Sequence, residues 1–348
     1  MNALASIPEE TRPEEARPVL RVEKLNARLF LKDGVLPAVE DVSFSVMQGE
    51  TVCIVGESGC GKSMTALSIM RLLPRPIGRI TSGSITIDGV GDITGLSERA
   101  MRQVRGKDVS MIFQEPMTSL NPVFRVGYQI SEAIRVHHRI SAAQARERAI
   151  DMLDKVGIPL PAERYASFPH QLSGGMRQRV MIAMALACRP KVMLADEPTT
   201  ALDVTIQAQI LKLMNELKRD IGTSIVLITH DLGVVAKMAQ RVLVMYAGVV
   251  VEEADVRTLF AAPLHPYTQA LMRSIPRPGA GVNEKGEIDT IRGMVPSLRD
   301  LPAGCRFSDR CPMAHEPCHK WEPPLAAPDG DPGSGSKVRC WLHARPPQ

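Results

Sequence analysis

The stretch that most restricts how this chain can fold is GESGCGKS, residues 56–63. It satisfies G-x-x-x-x-G-K-[ST] at Gly56, Gly61, Lys62 and Ser63. An apolar run, ETVCIV, leads into it, and KSMTALSIMRLL, with helical spacing, follows and stops at Pro74. In such a strand–loop–helix unit the glycines let backbone N–H groups wrap phosphate oxygens, and the helix start adds a positive end. The pattern predicts that backbone from Gly56 to Met64, through Ser58, Gly59 and Cys60, cradles the phosphates of ATP. Lys62 would reach the β- and γ-phosphates, and the Ser63 hydroxyl would ligate Mg²⁺. The alternative is a chance glycine turn, which the flanking strand and helix disfavour.

A second segment supplies the acid such a loop needs. VMLADEP puts Asp196 at the end of an apolar strand, beside the loop at the carboxyl edge of a sheet, where it can hold Mg²⁺. Glu197 follows at once and is placed to accept a proton from attacking water. LITH ends another apolar strand, so His230 is expected at the neighbouring tip, against the γ-phosphate and Glu197. Taken singly, Glu197 reads as a surface carboxylate and His230 as a structural histidine. Three polar groups converging on one sheet edge favour catalysis.

The pattern along the chain predicts an α/β fold. From Val19, VLRVEKL and AVEDVSFSV read as β-strands, the second alternating as a half-buried antiparallel strand does, and SGSITIDG as another. Apolar strands KVMLAD, SIVLITH and RVLVMYAG alternate with helical segments such as TIQAQILKLMNELKRD, which indicates a largely parallel sheet covered on both faces. Residues 115–189 read as a helical insertion, with SAAQARERAIDMLDKVG its clearest amphipathic helix. The expected division is a flexible acidic tail at 1–18, a nucleotide-binding unit at 19–260, and an extension at 261–348.

Bulk properties remove other classes. The formal net charge of +4 is too small for a nucleic-acid stripe, and aromatics at 4% are too few for base stacking. The longest apolar run, VMIAMALAC, is about half of the roughly 18 residues a membrane span requires. The N-terminus lacks the basic start and apolar stretch of a secretory signal, which predicts a cytosolic chain.

LSGGMRQR, residues 172–179, poses a separate problem. It offers a serine, paired glycines and a helix start, a second anion cradle without a lysine; alone it is an ordinary helix N-terminus. Its meaning comes from order. GESGCGKS, MIFQEP, LSGGMRQR, VMLADEPTTALD and LITHD, in that sequence, resemble the ATPase subunits of ABC transporters. FQEPMTSLNP, DEPTTALDVTIQAQI, VMYAG, HPYTQAL and the cysteine-bearing tail narrow the resemblance to bacterial dipeptide and oligopeptide importers. It implies a mixed-sheet core with an antiparallel β subdomain, an inserted helical subdomain and a small irregular cysteine-containing C-terminal domain. It implies that Gln114 senses Mg²⁺ and the attacking water, and that Asp203 lies at the contact between two ATPase subunits. It implies that Ser173, Gly174 and Gly175 cover ATP held by a partner's phosphate loop. The partners implied are a second ATPase subunit, a sister chain or a copy of this one, two membrane permeases and an external solute-binding protein. The expected location is the cytoplasmic face of the bacterial inner membrane. The family stacks adenine on an aromatic residue before the phosphate loop; Phe30 stands at a suitable distance but serves equally well as a core residue.

Four of the seven cysteines, Cys305, Cys311, Cys318 and Cys340, crowd the C-terminal region with gaps of five, six and twenty-one residues. Structural zinc sites use closer pairs, so the spacing suits a bulkier iron–sulfur cluster better, and the resemblance points to 4Fe-4S. Zinc, with help from His315, His319 or His343, and plain reduced cysteines stay open.

The functional expectation is a transport ATPase driving peptide uptake. Nickel or another small solute is a variant of it. A soluble ABC ATPase of DNA repair or translation lacks support, because the chain has one cassette, no heptad array and little excess positive charge. A small-molecule kinase has no use for LSGGM or TALD.

Overall fold

The computed structural model describes residues 17–114, 119–200, 202–274, 291, 293–331, 333 and 335–347. Nearly all of the acidic tail lies outside these, as do residues 115–118 that follow Gln114. The strands are β1 (Pro18–Leu31), β2 (Gly34–Met47), β3 (Thr51–Val55), β4 (Gly78–Ile87), β5 (Gly91–Asp92) and β6 (Val109–Ile112). They continue as β7 (Val192–Asp196), β8 (Ser224–Ile228), β9 (Arg241–Tyr246), β10 (Val249–Asp255) and β11 (Lys337–Val338).

The central sheet has the order β11-β10-β9-β3-β8-β7-β6. Its β9, β3, β8, β7 and β6 run parallel, while β10 and β11 are antiparallel additions at one edge. Every residue of β3, β7 and β8 is buried, which is why these strands read as unbroken apolar runs. A second, antiparallel sheet has the order β2-β1-β4-β5. Side chains of β3 alternate between two apolar clusters. Val52 and Ile54 pack with the antiparallel sheet, Cys53 and Val55 with the helical side of the molecule.

The helical insertion contains Val126–His137, Ala142–Lys155 and Gly174–Leu186. Ser141 and Gln144 form a capping box at the start of the second, the helix expected from SAAQARERAIDMLDKVG.

Two features depart from the sequence reading. The helix after the phosphate loop spans Lys62–Ile69, shorter than the run to Pro74 suggested. VVVEEAD forms β10, a strand that the sequence pattern did not announce, because its two glutamates are buried. Glu252 accepts hydrogen bonds from the backbone N–H groups of Leu264 (2.8 Å) and His265 (2.9 Å). Glu253 pairs with Arg241 at 2.5 Å and Lys337 at 3.1 Å. Partnered this way, carboxylates tolerate burial.

The extension shares its apolar interior with the rest of the fold. Cys305, Phe307, Cys318 and Trp341 belong to the same cluster as Tyr246 and Tyr267. Tyr246, Tyr267 and Phe307 form an aromatic knot with ring centroids 4.7, 5.2 and 5.4 Å apart.

Candidate nucleotide and catalytic site

The tips of β3, β7 and β8 converge, because parallel neighbours in register end at one edge. Gly56, Gly59 and Gly61 all adopt positive φ, at 152°, 78° and 100°. A Cβ on Gly56 would stand 2.2 Å from the Met245 carbonyl, and one on Gly61 2.5 Å from that of Ala38. Only glycine lets the chain fold this closely onto its support. Ser58 and Gly59 are exposed at the turn, whereas Cys60 and Lys62 are buried. The ammonium of Lys62 donates to the carbonyls of Gly56 (2.8 Å) and Glu57 (2.9 Å). Burial pushes the Cys60 thiol up from its ordinary value, so this thiol is a poor nucleophile.

Ser63 Oγ donates to Asp196 Oδ1 at 3.1 Å, uniting two of the three residues, with Gln114, expected to hold Mg²⁺. Burial raises the Asp196 carboxyl above its usual range, and the adjacent Glu197 charge adds to that. Ser63 and Lys62 pull the other way. A hydroxyl and a carboxylate on a hard-oxygen edge are suitable donors for Mg²⁺.

Glu197 sits at the centre. Its φ of 46° is left-handed, a conformation that non-glycine residues seldom adopt and that concentrates at functional sites. Its Oε2 accepts from Gln114 Nε2 at 3.2 Å and Thr200 Oγ1 at 3.0 Å, and its Oε1 lies 3.2 Å from His230 Nδ1. The Glu197 side chain is 15% exposed and that of His230 62%, so the imidazole stands on the solvent side of the carboxylate. Gln114, the adjacent Asp196 and Glu197, and His230, from three separate stretches, therefore meet within hydrogen-bond reach of one another or of Ser63. Thr200 was missed by sequence reasoning, although it lies in DEPTT beside the acid it contacts.

The chain is similar to known proteins over most of its length. The family model described as ABC transporter matches residues 39–200, and the one described as oligopeptide/dipeptide transporter, C-terminal region, matches 251–318. The chain is 50% identical to the oligopeptide transport ATP-binding protein AppD of Bacillus subtilis, over 93% of this chain and 97% of AppD. It is 51% identical to the dipeptide transport ATP-binding protein DppD of Escherichia coli, over 88% of this chain and 92% of DppD. The chain belongs to the ABC-transporter ATP-binding subunits of the peptide-importer group. Among solved structures, the dimeric MJ0796 cassette bound to ADP and Pi is similar, with a TM-score of 0.61 and 28% identity. That match covers 68% of this chain and 99% of MJ0796. The ABC cassette fold and an ABC-type ATPase activity follow from these matches.

In this ABC ATPase the signature opens a helix of its own. Ser173 caps the helix Gly174–Leu186, its hydroxyl accepting from Met176 N at 3.3 Å. Ser173 and Gly174 are exposed. A Cβ on Gly175 would meet the Ile206 side chain at 3.2 Å. Ile206 N in turn donates to Asp203 Oδ1 at 2.9 Å, so Asp203 caps the neighbouring helix Val204–Ile221. Signature and Asp203 thus occupy one surface, next to Val204, which is 82% exposed. Phe30, near the end of β1, is 39% exposed, with the Arg79 guanidinium 5.4 Å from its ring centroid. It is therefore a surface ring, and the core alternative does not hold.

The four clustered cysteines line one apolar cavity together with Phe307 and Trp341. Burial, reinforced by the neighbouring thiols, pushes Cys305 up to about 12, and burial pushes Cys340 up to about 11. Among the described residues no three His, Cys, Asp or Glu side chains are grouped closely enough to hold one metal ion. The expected metal thus finds no ready mononuclear site, and the family matches name none. No helix among the described residues is long and apolar enough to cross a membrane.

Proposed function

We propose that this ABC ATPase is the motor of a bacterial importer, coupling ATP binding and hydrolysis to uptake of di- and oligopeptides through separate membrane subunits. The match of residues 251–318 to the oligopeptide/dipeptide transporter C-terminal region carries that assignment. The chain divides at about residues 18 and 260, and its C-terminal part matches the oligopeptide/dipeptide transporter C-terminal region. The chain works at the cytoplasmic face of the inner membrane with a second ATPase subunit, two permeases and a solute-binding protein. Phe124 and Tyr128, exposed and 5.4 Å apart just beyond Gln114, suit contact with a permease.

The residues take the following roles. Gly56, the backbone N–H groups from Ser58 to Met64 and the Lys62 ammonium bind the phosphates. Ser63 and Asp196 hold Mg²⁺, with Gln114 linking that region to the helical insertion. Glu197 accepts the proton of attacking water, and His230 steadies the γ-phosphate and Glu197. Phosphoryl transfer depends chiefly on positioning and electrostatic stabilisation, which these groups provide. Ser173, Gly174 and Gly175 complete the pocket of the partner, with Asp203 at the subunit contact, and Phe30 offers a face to adenine. The similarity to a dimeric cassette supports this arrangement.

Purification with the two permeases into proteoliposomes tests the function. Peptide-loaded binding protein should stimulate ATP hydrolysis and peptide entry; stimulation by nickel complexes alone would reassign the cargo.

The four cysteines, by number and spacing, suit an iron–sulfur cluster better than a zinc ion. Cys305, Cys311, Cys318 and Cys340 would hold it, and bound there it would cross-link the extension. Iron analysis and visible absorption of anaerobically purified protein test this; bound zinc or metal-free protein would refute it.

A further inference from the structure

The cysteine-bearing extension grips the carboxylate of the phosphate loop with one side chain. Arg310 donates from Nη1 to Glu57 Oε1 at 3.0 Å and from Nη2 to Glu57 Oε2 at 3.2 Å. This is a two-pronged pairing of the kind a guanidinium makes with a carboxylate. The Arg310 side chain is only 5% exposed. Its guanidinium lies 5.7 Å from the Tyr246 ring centroid and 5.9 Å from that of Phe307, and Nη1 also donates to the Tyr246 hydroxyl at 3.2 Å. The arginine is thus locked against the aromatic knot and holds its fork in one direction.

Glu57 is the second residue of GESGCGKS, a carboxylate inside a loop built to bind a polyanion. Its backbone is fixed as firmly as its side chain. The N–H donates to the Tyr267 hydroxyl at 2.9 Å, and the carbonyl accepts from Lys62 Nζ at 2.9 Å. A second link runs from the same segment. Arg306 Nη1 donates to the Ala247 carbonyl at 2.6 Å, and the next residue, Gly248, donates its N–H to the Cys60 carbonyl at 2.9 Å.

We propose that Arg310 is a positioning residue for nucleotide binding: it neutralises Glu57 and fixes its direction, so that the extension sets the loop's affinity for MgATP. Without the guanidinium, the carboxylate stands uncompensated beside the phosphate cradle and repels the incoming triphosphate. Loss of Arg310 alone is therefore worse than loss of both charges.

The test uses the full-length chain, with displacement of trinitrophenyl-ATP by MgATP as the binding measurement. Arg310→Met should raise the Kd for MgATP at least fivefold, roughly 1 kcal/mol. The defect should appear in the KM of hydrolysis far more than in kcat. Arg310→Met combined with Glu57→Gln should return the Kd to within twofold of the wild type. Added salt should shrink the Arg310→Met defect by screening the repulsion, a response that a packing defect would not give. An unchanged Kd in Arg310→Met, or a double variant as weak as the single one, overturns the proposal. If Arg310→Met fails to fold, Glu57→Gln alone decides: a Kd no more than twice the wild type supports the proposal, and a larger rise sinks it.

Discussion

The phosphate loop and the signature helix are both glycine-rich segments at helix N-termini, yet they are built oppositely. The loop presses its glycines on the carbonyls of Met245 and Ala38, buries Lys62, and ties Glu57 to Arg310, Tyr267 and Lys62. The signature leaves Ser173 and Gly174 in solvent, and a Cβ on Gly174 would meet nothing within 4 Å. A cradle that serves its own chain is braced from behind by that chain. One left bare at the glycine has room for a ligand presented from outside, by a second subunit.

Paired glycine substitutions should separate the two designs most widely. Gly61→Ala, at φ 100° and against the Ala38 carbonyl, should abolish MgATP binding in a displacement assay. Gly174→Ala should keep the wild-type Tm and the chain's own nucleotide binding, and lose only hydrolysis. If Gly174→Ala also fails to bind nucleotide, the contrast collapses.

Next in size, Glu197→Gln should lower ATP turnover by about 10²–10⁴-fold while ATP still binds and drives dimerisation, read by size-exclusion chromatography. Rapid turnover in that variant removes Glu197 as the base. Smaller again, Ser173→Ala should cost about 1 kcal/mol of stability through the lost helix cap. It should also reduce hydrolysis, and wild-type specific activity should fall on dilution. Dilution-independent turnover that ignores Ser173 would mean that each chain works alone. The smallest effect is expected from Phe30→Ala, a rise of about two- to threefold in the Kd for MgATP. Its exposed ring offers one face of stacking, worth under about 1 kcal/mol.

What could be read from sequence followed the range of the interactions. GESGCGKS was legible because its chemistry lies in eight consecutive residues bounded by a strand and a helix. Asp196, Glu197 and His230 were legible because parallel strands end together, so residues closing apolar runs meet. Gln114 was singled out by family resemblance, as a sensor of Mg²⁺ and attacking water; its 3.2 Å hydrogen bond to Glu197 was not foreseen. The pairing of Glu57 with Arg310 spans 253 positions, and neither residue carries a local pattern that announces the other. β10 escaped because the partners that make buried Glu252 and Glu253 tolerable come from Arg241, Lys337 and the backbone after Pro263. Cysteine spacing suggested ligands, yet among the described residues no group able to hold a metal ion is found.

The pairing of β11 with β10, though only Glu252–Val338 and Glu253–Lys337 in extent, bears on how the chain can be handled. With Arg339 N donating to the Val251 carbonyl at 2.8 Å, it caps the rim of the central sheet. A fragment cut before residue 337 would present that rim naked, a template onto which other chains add strands and precipitate. Preparations meant to isolate the cassette should therefore keep the last dozen residues, whatever else is trimmed.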